Sequence, residues 1–128
     1  MNRYLLDTSV LIDFSRGVVP VRDRLFDLAQ EHTLGVCGIN ITEFYSGIKH
    51  GARPAVDEFI DSLTYWEVTR PMFLTAGNYR YDFARKGITL ASANTIVAAV
   101  ARHRKATVLT GNVKHFPMTD ITVERLGP

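Results

Sequence analysis

The chain of 128 residues has a single cysteine, Cys37. That excludes an internal disulfide framework and a cysteine-rich zinc site. No apolar run approaches the roughly 20 residues that a membrane-spanning helix needs. Met1 to Leu6 lacks the basic stretch and long apolar segment of a secretory signal. The expectation is a soluble cytoplasmic protein. Charge of one sign is also scarce, since 15 Lys and Arg against 13 Asp and Glu leave only +2. Such a balance neither demands nor excludes a nucleic-acid partner, because partners read local patches. Repeats, low-complexity tracts and linker-like stretches are missing, so residues 1–128 are read as one domain. What is present is ordinary globular material, 46% hydrophobic and 22% charged, too apolar for a disordered chain. At this length roughly two-thirds of the unfolded surface is buried, enough for one real core.

Strand and helix patterns take turns along the chain. Arg3 to Leu6 reads as a short strand stopping at Asp7, and Thr8 and Ser9 are placed to cap a helix carrying Val10, Leu11 and Phe14. Val21, Leu25, Leu28 and Ala29 form the apolar stripe of an amphipathic helix. Leu34 to Ile39 is brief and apolar, a buried strand, after which Asn40 opens a helix closing near Gly51. Helical spacing returns over Ala55 to Leu63, and Tyr65 to Val68 resembles a strand. Pro71 suits the first turn of a long helix to Lys86, with Gly87 placed to end it. The alanine-rich segment Thr95 to Arg104 is helical, Ala106 to Leu109 a strand, and Ile121 to Val123 a last one. Such alternation implies βα units, a mostly parallel sheet and helices on both faces. In such sheets the sites lie beyond the carboxyl ends of the strands.

Four polar residues meet that criterion: Asp7, Glu43, Asn94 and Asn112, separated by 36, 51 and 18 residues. Only the fold can gather them. Gathered, they form an all-oxygen set that suits Mg²⁺ or Mn²⁺ rather than zinc. A hard cation there polarises a phosphoryl oxygen and acidifies a bound water for in-line attack on a phosphodiester. Helix N-termini converging on the same place favour phosphate. Each residue also has a plainer explanation. Asp7 caps the next helix; Asn40-Ile41-Thr42-Glu43 matches a capping box; Ser92 and Asn94 cap theirs; Thr110-Gly111-Asn112 is turn chemistry.

In combination the segments are more specific. Leu5-Leu6-Asp7-Thr8-Ser9-Val10-Leu11-Ile12-Asp13, Ile41-Thr42-Glu43-Phe44-Tyr45-Ser46-Gly47, Gly87 through Ala99 and Leu109-Thr110-Gly111-Asn112-Val113-Lys114-His115-Phe116 occur in the order of the PIN-domain nucleases. The chain resembles that family over essentially its whole length, and within it the VapC toxins of type II toxin–antitoxin systems. The resemblance implies a three-layer α/β/α sandwich with a mostly parallel central sheet, and an endoribonuclease using Mg²⁺ or Mn²⁺. It places metal ligands at Asp7, Glu43 and Asn94, a further site residue at Asn112, and supporting hydroxyls at Thr110 and at Thr8 or Ser9. It also implies a cognate antitoxin as partner, often pointing an Arg or Lys into the acidic cluster, and a homodimer.

Asn94 departs from the family, which has aspartate there. An amide offers one good ligand oxygen and no charge. With Asp7 and Glu43 ionised the cluster carries −2, against −3 with aspartate at position 94, so at most one weakly held ion is expected. Two explanations stand: a silenced form of an active toxin, which we favour, or a natural variant that cleaves poorly. Basic residues group at Arg80, Arg85 and Lys86, at Arg102, Arg104 and Lys105, and at Lys114 with His115. The second group suits a helix C-terminus, where the dipole favours cations. Lys114 and His115 are the candidates for RNA phosphate contacts. Phe44, Tyr45, Tyr79, Tyr81 and Phe83 are candidates for base stacking, although core packing is the commoner fate. Among rival classes, a haloacid-dehalogenase-like phosphatase wants Asp-x-Asp and finds Ser9 instead; a receiver domain finds no aspartate at Ile39-Asn40. The non-enzymatic rival is a degenerate PIN domain that only binds protein or RNA.

Overall fold

The computed structural model describes all residues, Met1–Pro128. Strands β1 (Arg3–Leu6), β2 (Thr33–Cys37), β3 (Thr64–Trp66), β4 (Ala106–Thr110) and β5 (Val123–Arg125) form one sheet in the order β3-β2-β1-β4-β5. Every pairing is parallel. The helices are α1 (Thr8–Ser15), α2 (Val19–Glu31), α3 (Gly38–Tyr45), α4 (Arg53–Asp61), α5 (Arg70–Arg85) and α6 (Ser92–Arg104). Single 3-10 turns cover His50–Ala52 and Val113–His115.

Alternation along the strands builds two cores, one on each face of the sheet. Leu5 and Val108 point into the layer of α5 and α6, with Met72, Ala76, Tyr79 and the alanine-rich face of α6. Tyr4, Leu6 and Leu109 point the other way, against Val10 and Leu11 of α1, Leu25 of α2, Phe44 of α3 and Ile60 of α4. This is the expected α/β/α sandwich. A parallel sheet needs cover on both faces, which explains why its strands read as continuous apolar runs. Gly35 is required for packing: a Cβ there would sit 2.6 Å from Trp66 Cε3, so the indole lies directly over β2.

Several boundaries differ from the sequence reading, for local reasons. β2 ends at Cys37, and α3 already begins at Gly38. Asn40 is therefore inside the first turn of α3, not its cap. The helix closes at Tyr45 rather than near Gly51, and Ile48 lies outside it. α6 starts at Ser92, three residues before the apolar stripe that marked it. β3 stops at Trp66, and β5 runs over Val123–Arg125 instead of starting at Ile121. Both are three-residue edge strands, too short for a period to fix their ends.

β1 lies at the point where the strand order turns. From β1 the chain steps one way to β2 and β3, then returns through α5 and α6 to lay β4 on its other side. The crevice at the carboxyl ends of β1 and β4 is where ligands of open α/β sheets bind.

Candidate functional site

Leu6 pairs with Leu109, so the next residues, Asp7 and Thr110, emerge side by side from adjacent strands. The Asp7 amide donates to the Leu109 carbonyl at 3.0 Å, extending the ladder one step. The carboxylate is almost fully buried. Its Oδ2 accepts from Thr110 Oγ1 at 2.8 Å and from Ser9 Oγ at 3.3 Å. The Ser9 hydroxyl also accepts from the Gly111 amide at 3.0 Å, which ties the start of α1 to the β4 loop. Asp7 occupies the N-cap position of α1 with extended backbone, yet its side chain makes no capping bond. The capping explanation therefore fails for Asp7, and Thr8 and Ser9 belong to the helix rather than capping it. Oδ1 is left without a protein partner, and neither ion pair in the chain involves Asp7 or Glu43.

Glu43 is reached through α3. Its Oε1 accepts from Thr8 Oγ1 at 2.9 Å, so the glutamate is fastened to the residue that follows Asp7. No capping bond forms in α3. Because Asn40 is inside the helix, the glutamate three positions on cannot reach back to a cap amide, and it turns to the strand ends instead. Asn40 is fully buried, donating to Thr8 Oγ1 at 3.4 Å and accepting from Cys37 Sγ at 3.2 Å. Neither Asn40 nor Cys37 was singled out from the sequence. The available signal was an amide one turn behind Glu43 in an apolar segment, a spacing that puts both on one helix face. Burial pushes the Cys37 thiol up to about 11; bonds at Asn40 and Ile39 oppose the rise, while the Asp7 and Glu43 charges add to it. The thiol senses both carboxylates.

Asn94 sits half-buried in the first turn of α6, a helix that packs on β1 and α3. Its side chain makes no cap, and Thr95 beside it is fully buried. The start of α6 is fastened by Arg80 of α5, which donates to the Leu90 carbonyl at 3.1 Å and to Ser92 Oγ at 3.0 Å. That guanidinium is thus committed to holding the 87–92 segment. Asn112 joins the site only through its backbone, whose amide donates to Thr110 Oγ1 at 3.0 Å; its side chain is exposed. Lys114 and His115 follow on the exposed 3-10 turn. Of the other basic residues, Arg85 lies over the Tyr81 ring, Lys86 over Phe83, and Arg102 pairs with Asp120 at 3.4 Å. Of the candidate stacking aromatics, Phe44 and Tyr79 are core residues, while Tyr81 is exposed.

The hydrogen bonds gather two carboxylates, each with one oxygen held by hydroxyl groups and the other free, while the Asn94 amide makes no hydrogen bond to either. No cluster of three His, Cys, Asp or Glu side chains occurs. This fits one hard cation that keeps several waters, the way Mg²⁺ is bound by one or two carboxylates, and does not fit zinc.

Comparison with known proteins identifies the family. The family model for the PIN domain matches residues 4–120. Ribonuclease VapC10 of Mycobacterium tuberculosis is 28% identical over 114 residues, covering 89% of this chain and 86% of its own. Ribonuclease VapC19 of the same organism is 26% identical over 117 residues, covering 89% and 92%. Among solved structures, VapBC2 from Rickettsia felis bound to a promoter DNA fragment matches with a TM-score of 0.86 at 20% identity, over 98% of this chain and 99% of that one. DNA-bound VapBC from Salmonella typhimurium matches at 0.84 with 23% identity, over 98% of each chain. At such identities the structural matches establish the fold.

Proposed function

The chain belongs to the PIN domain family, and from that premise we propose that it is a metal-dependent endoribonuclease, the toxin of a type II toxin–antitoxin module. The observation that carries the reading is the buried Asp7 at the strand-order switch, joined to Glu43 through Thr8 with no cationic partner for either carboxylate. The names of the relatives, two ribonucleases and two VapBC assemblies, support the activity and a cognate antitoxin as partner.

Asp7 Oδ1, the free oxygen of Glu43 and the Asn94 amide oxygen would hold a Mg²⁺ or Mn²⁺ ion. Such an ion supplies charge neutralisation at a phosphoryl oxygen and an acidified water. The chain's own part is positional. Thr110 and Ser9 fix the orientation of Asp7, and Thr8 holds Glu43 beside it. Lys114 and His115 follow Asn112 on an exposed turn and would contact RNA phosphates, with a homodimer setting two such sites in one particle. The uncompensated carboxylates attract a cation of either kind, so an antitoxin arginine or lysine placed between them would exclude the metal.

Asn94 makes low activity the expected state of this chain. It also supports the second reading, a PIN domain that binds without cutting. An RNA cleavage assay with Mn²⁺, with chelator, and with Asn94→Asp and Asp7→Asn variants separates the two. The proposal expects Asn94→Asp to raise Mn²⁺-dependent cleavage by about tenfold or more, the effect of roughly 1.4 kcal/mol at the transition state. Cleavage equal in both forms removes Asn94 from the site, and cleavage unaffected by Asp7→Asn refutes the nuclease reading.

A further inference from the structure

A cavity of about 320 Å³ opens between α3 and the end of β3, and nothing in the foregoing uses it. Its walls come from α3 (Ile39, Thr42), the end of β3 and the segment after it (Tyr65, Glu67), the first turn of α5 (Phe73) and α6 (Ile96). These are the helices that carry Glu43 and Asn94. Ile39 lies one turn before Glu43 on α3 and Ile96 two residues past Asn94 on α6, so the cavity shares two helices with the candidate site. The volume is at the lower limit of ligand pockets and suits one planar ring system. Tyr65 and Phe73 are each about half exposed, at 50% and 53%, unusual for aromatics that serve only packing. Five of the eight lining residues are apolar, and the polar side-chain groups are the Thr42 hydroxyl, the Tyr65 hydroxyl over Gly38 and the carboxylate of the exposed Glu67.

We propose that this cavity is a nucleobase subsite, in which Tyr65 and Phe73 flank an unstacked RNA base and Glu67 selects guanine. The inference rests on the ribonuclease reading and deepens it. Single-stranded RNA is recognised by splayed bases stacked on aromatic side chains and hydrogen-bonded along their Watson–Crick edges. A carboxylate only accepts, and its two oxygens match the adjacent N1–H and N2–H donors of guanine. Uracil presents a single donor between two acceptors and meets Glu67 unfavourably. A base held here sets which phosphodiester lies over Asp7 and Glu43.

The test measures fluorescence-anisotropy binding of labelled hexauridylate and of versions with one guanosine at each position, in chelator, so that cleavage plays no part. One guanosine position is expected to tighten binding by about tenfold. Glu67→Gln should abolish that preference, with hexauridylate binding the variant at least as tightly as it binds wild type. Tyr65→Ala and Phe73→Ala should each weaken all the RNAs by roughly tenfold. The exposure of all three side chains keeps the fold intact. A guanine preference that survives Glu67→Gln overturns the subsite, as does undiminished binding in both aromatic variants. If those variants instead shift the sedimentation of the free protein from dimer to monomer, the face is a contact between copies and the proposal also fails. Mn²⁺-dependent cleavage that needs Asp7 but ignores base identity overturns the subsite alone. A guanine preference with no Asp7-dependent cleavage upholds the subsite and overturns the nuclease reading.

Discussion

Replacing Asp7 by asparagine separates a structural carboxylate from a functional one. The asparagine Oδ1 can still accept from Thr110 and Ser9, so the 2.8 Å and 3.3 Å hydrogen bonds have a successor. No capping bond is lost, because the carboxylate makes none. What disappears is a buried charge with no cation beside it, and burying an unpaired charge is costly. Without metal, Asp7→Asn should therefore unfold at or above the wild-type temperature, with a gain of about 1–2 kcal/mol. For a chain of 128 residues the unfolding entropy is about 0.27 kcal/mol/K, so that gain reads as about 4–7 °C. Metal reverses the ranking. An ion at a hundred times its dissociation constant stabilises the folded state by about 2.7 kcal/mol, or about 10 °C here. Wild type should gain that much in Mn²⁺ and Asp7→Asn almost nothing. Thermal unfolding followed by circular dichroism, with and without Mn²⁺, reads both arms. A variant that melts lower than wild type in chelator makes Asp7 a structural residue, and an equal Mn²⁺ shift in both proteins puts the ion elsewhere.

Other perturbations test the frame around the site. Gly35→Ala drives a methyl into the Trp66 ring and should cost about 1–3 kcal/mol, read in thermal unfolding and in the fluorescence of the chain's only tryptophan. Lys105 ends α6 in the left-handed region with φ 54°, the one non-glycine residue there. Lys105→Gly should therefore raise stability by about 1 kcal/mol, and a lower melting temperature would show that the lysine side chain outweighs the strain. The Cys37 thiol, pushed up to about 11 by burial, should resist iodoacetamide at pH 8 in the folded protein and react fully in denaturant. Because the folded thiol holds its proton more tightly than the unfolded one, its stabilising contribution is complete below the unfolded value of 9.0 and declines as pH rises from there toward 11.

The layers and the sheet were legible because the signals were long or strongly periodic. The stripe of α2, the alanine-rich face of α6 and the apolar runs of β1, β2 and β4 each carry one message that packing reinforces. β3 and β5 were displaced by one or two residues because three-residue strands contain less than two full periods. The failure at Asn40 is more instructive. Asn followed three residues later by Glu is a helix-start pattern, and locally nothing contradicts it. The fold does: β2 runs directly into α3, so the true N-cap is Cys37, and Asn40 turns inward to Thr8. A local hydrogen-bond pattern yields when tertiary packing moves the helix start by a single turn. The roles of Thr8 and Ser9 depend likewise on where a helix starts, since both lie inside α1 after the N-cap Asp7. Successive residues of α1 point about 100° apart, which sends Ser9 to Asp7 and Thr8 to Glu43.

The two carboxylates are held by different devices, and the difference bears on how the site meets an ion. Asp7 is gripped between β1 and β4, with its amide in the ladder and one oxygen fixed by two neighbouring hydroxyls, one from α1 and one from β4. It has almost no freedom left to lose. Glu43 is exposed, on a helix of eight residues, and only Thr8 fastens it. Its side-chain entropy is still available to be lost on binding, at a cost of order 1 kcal/mol. On the proposed reading, Asp7 would define where a cation sits and Glu43 would adapt to it. The third position adds an amide without charge, so nothing makes up for the mobility of Glu43. Placing a carboxylate at position 94 should help most where Glu43 is weakest, which makes Thr8→Val and Asn94→Asp opposing substitutions whose combined effect on Mn²⁺ affinity is not the sum of the two.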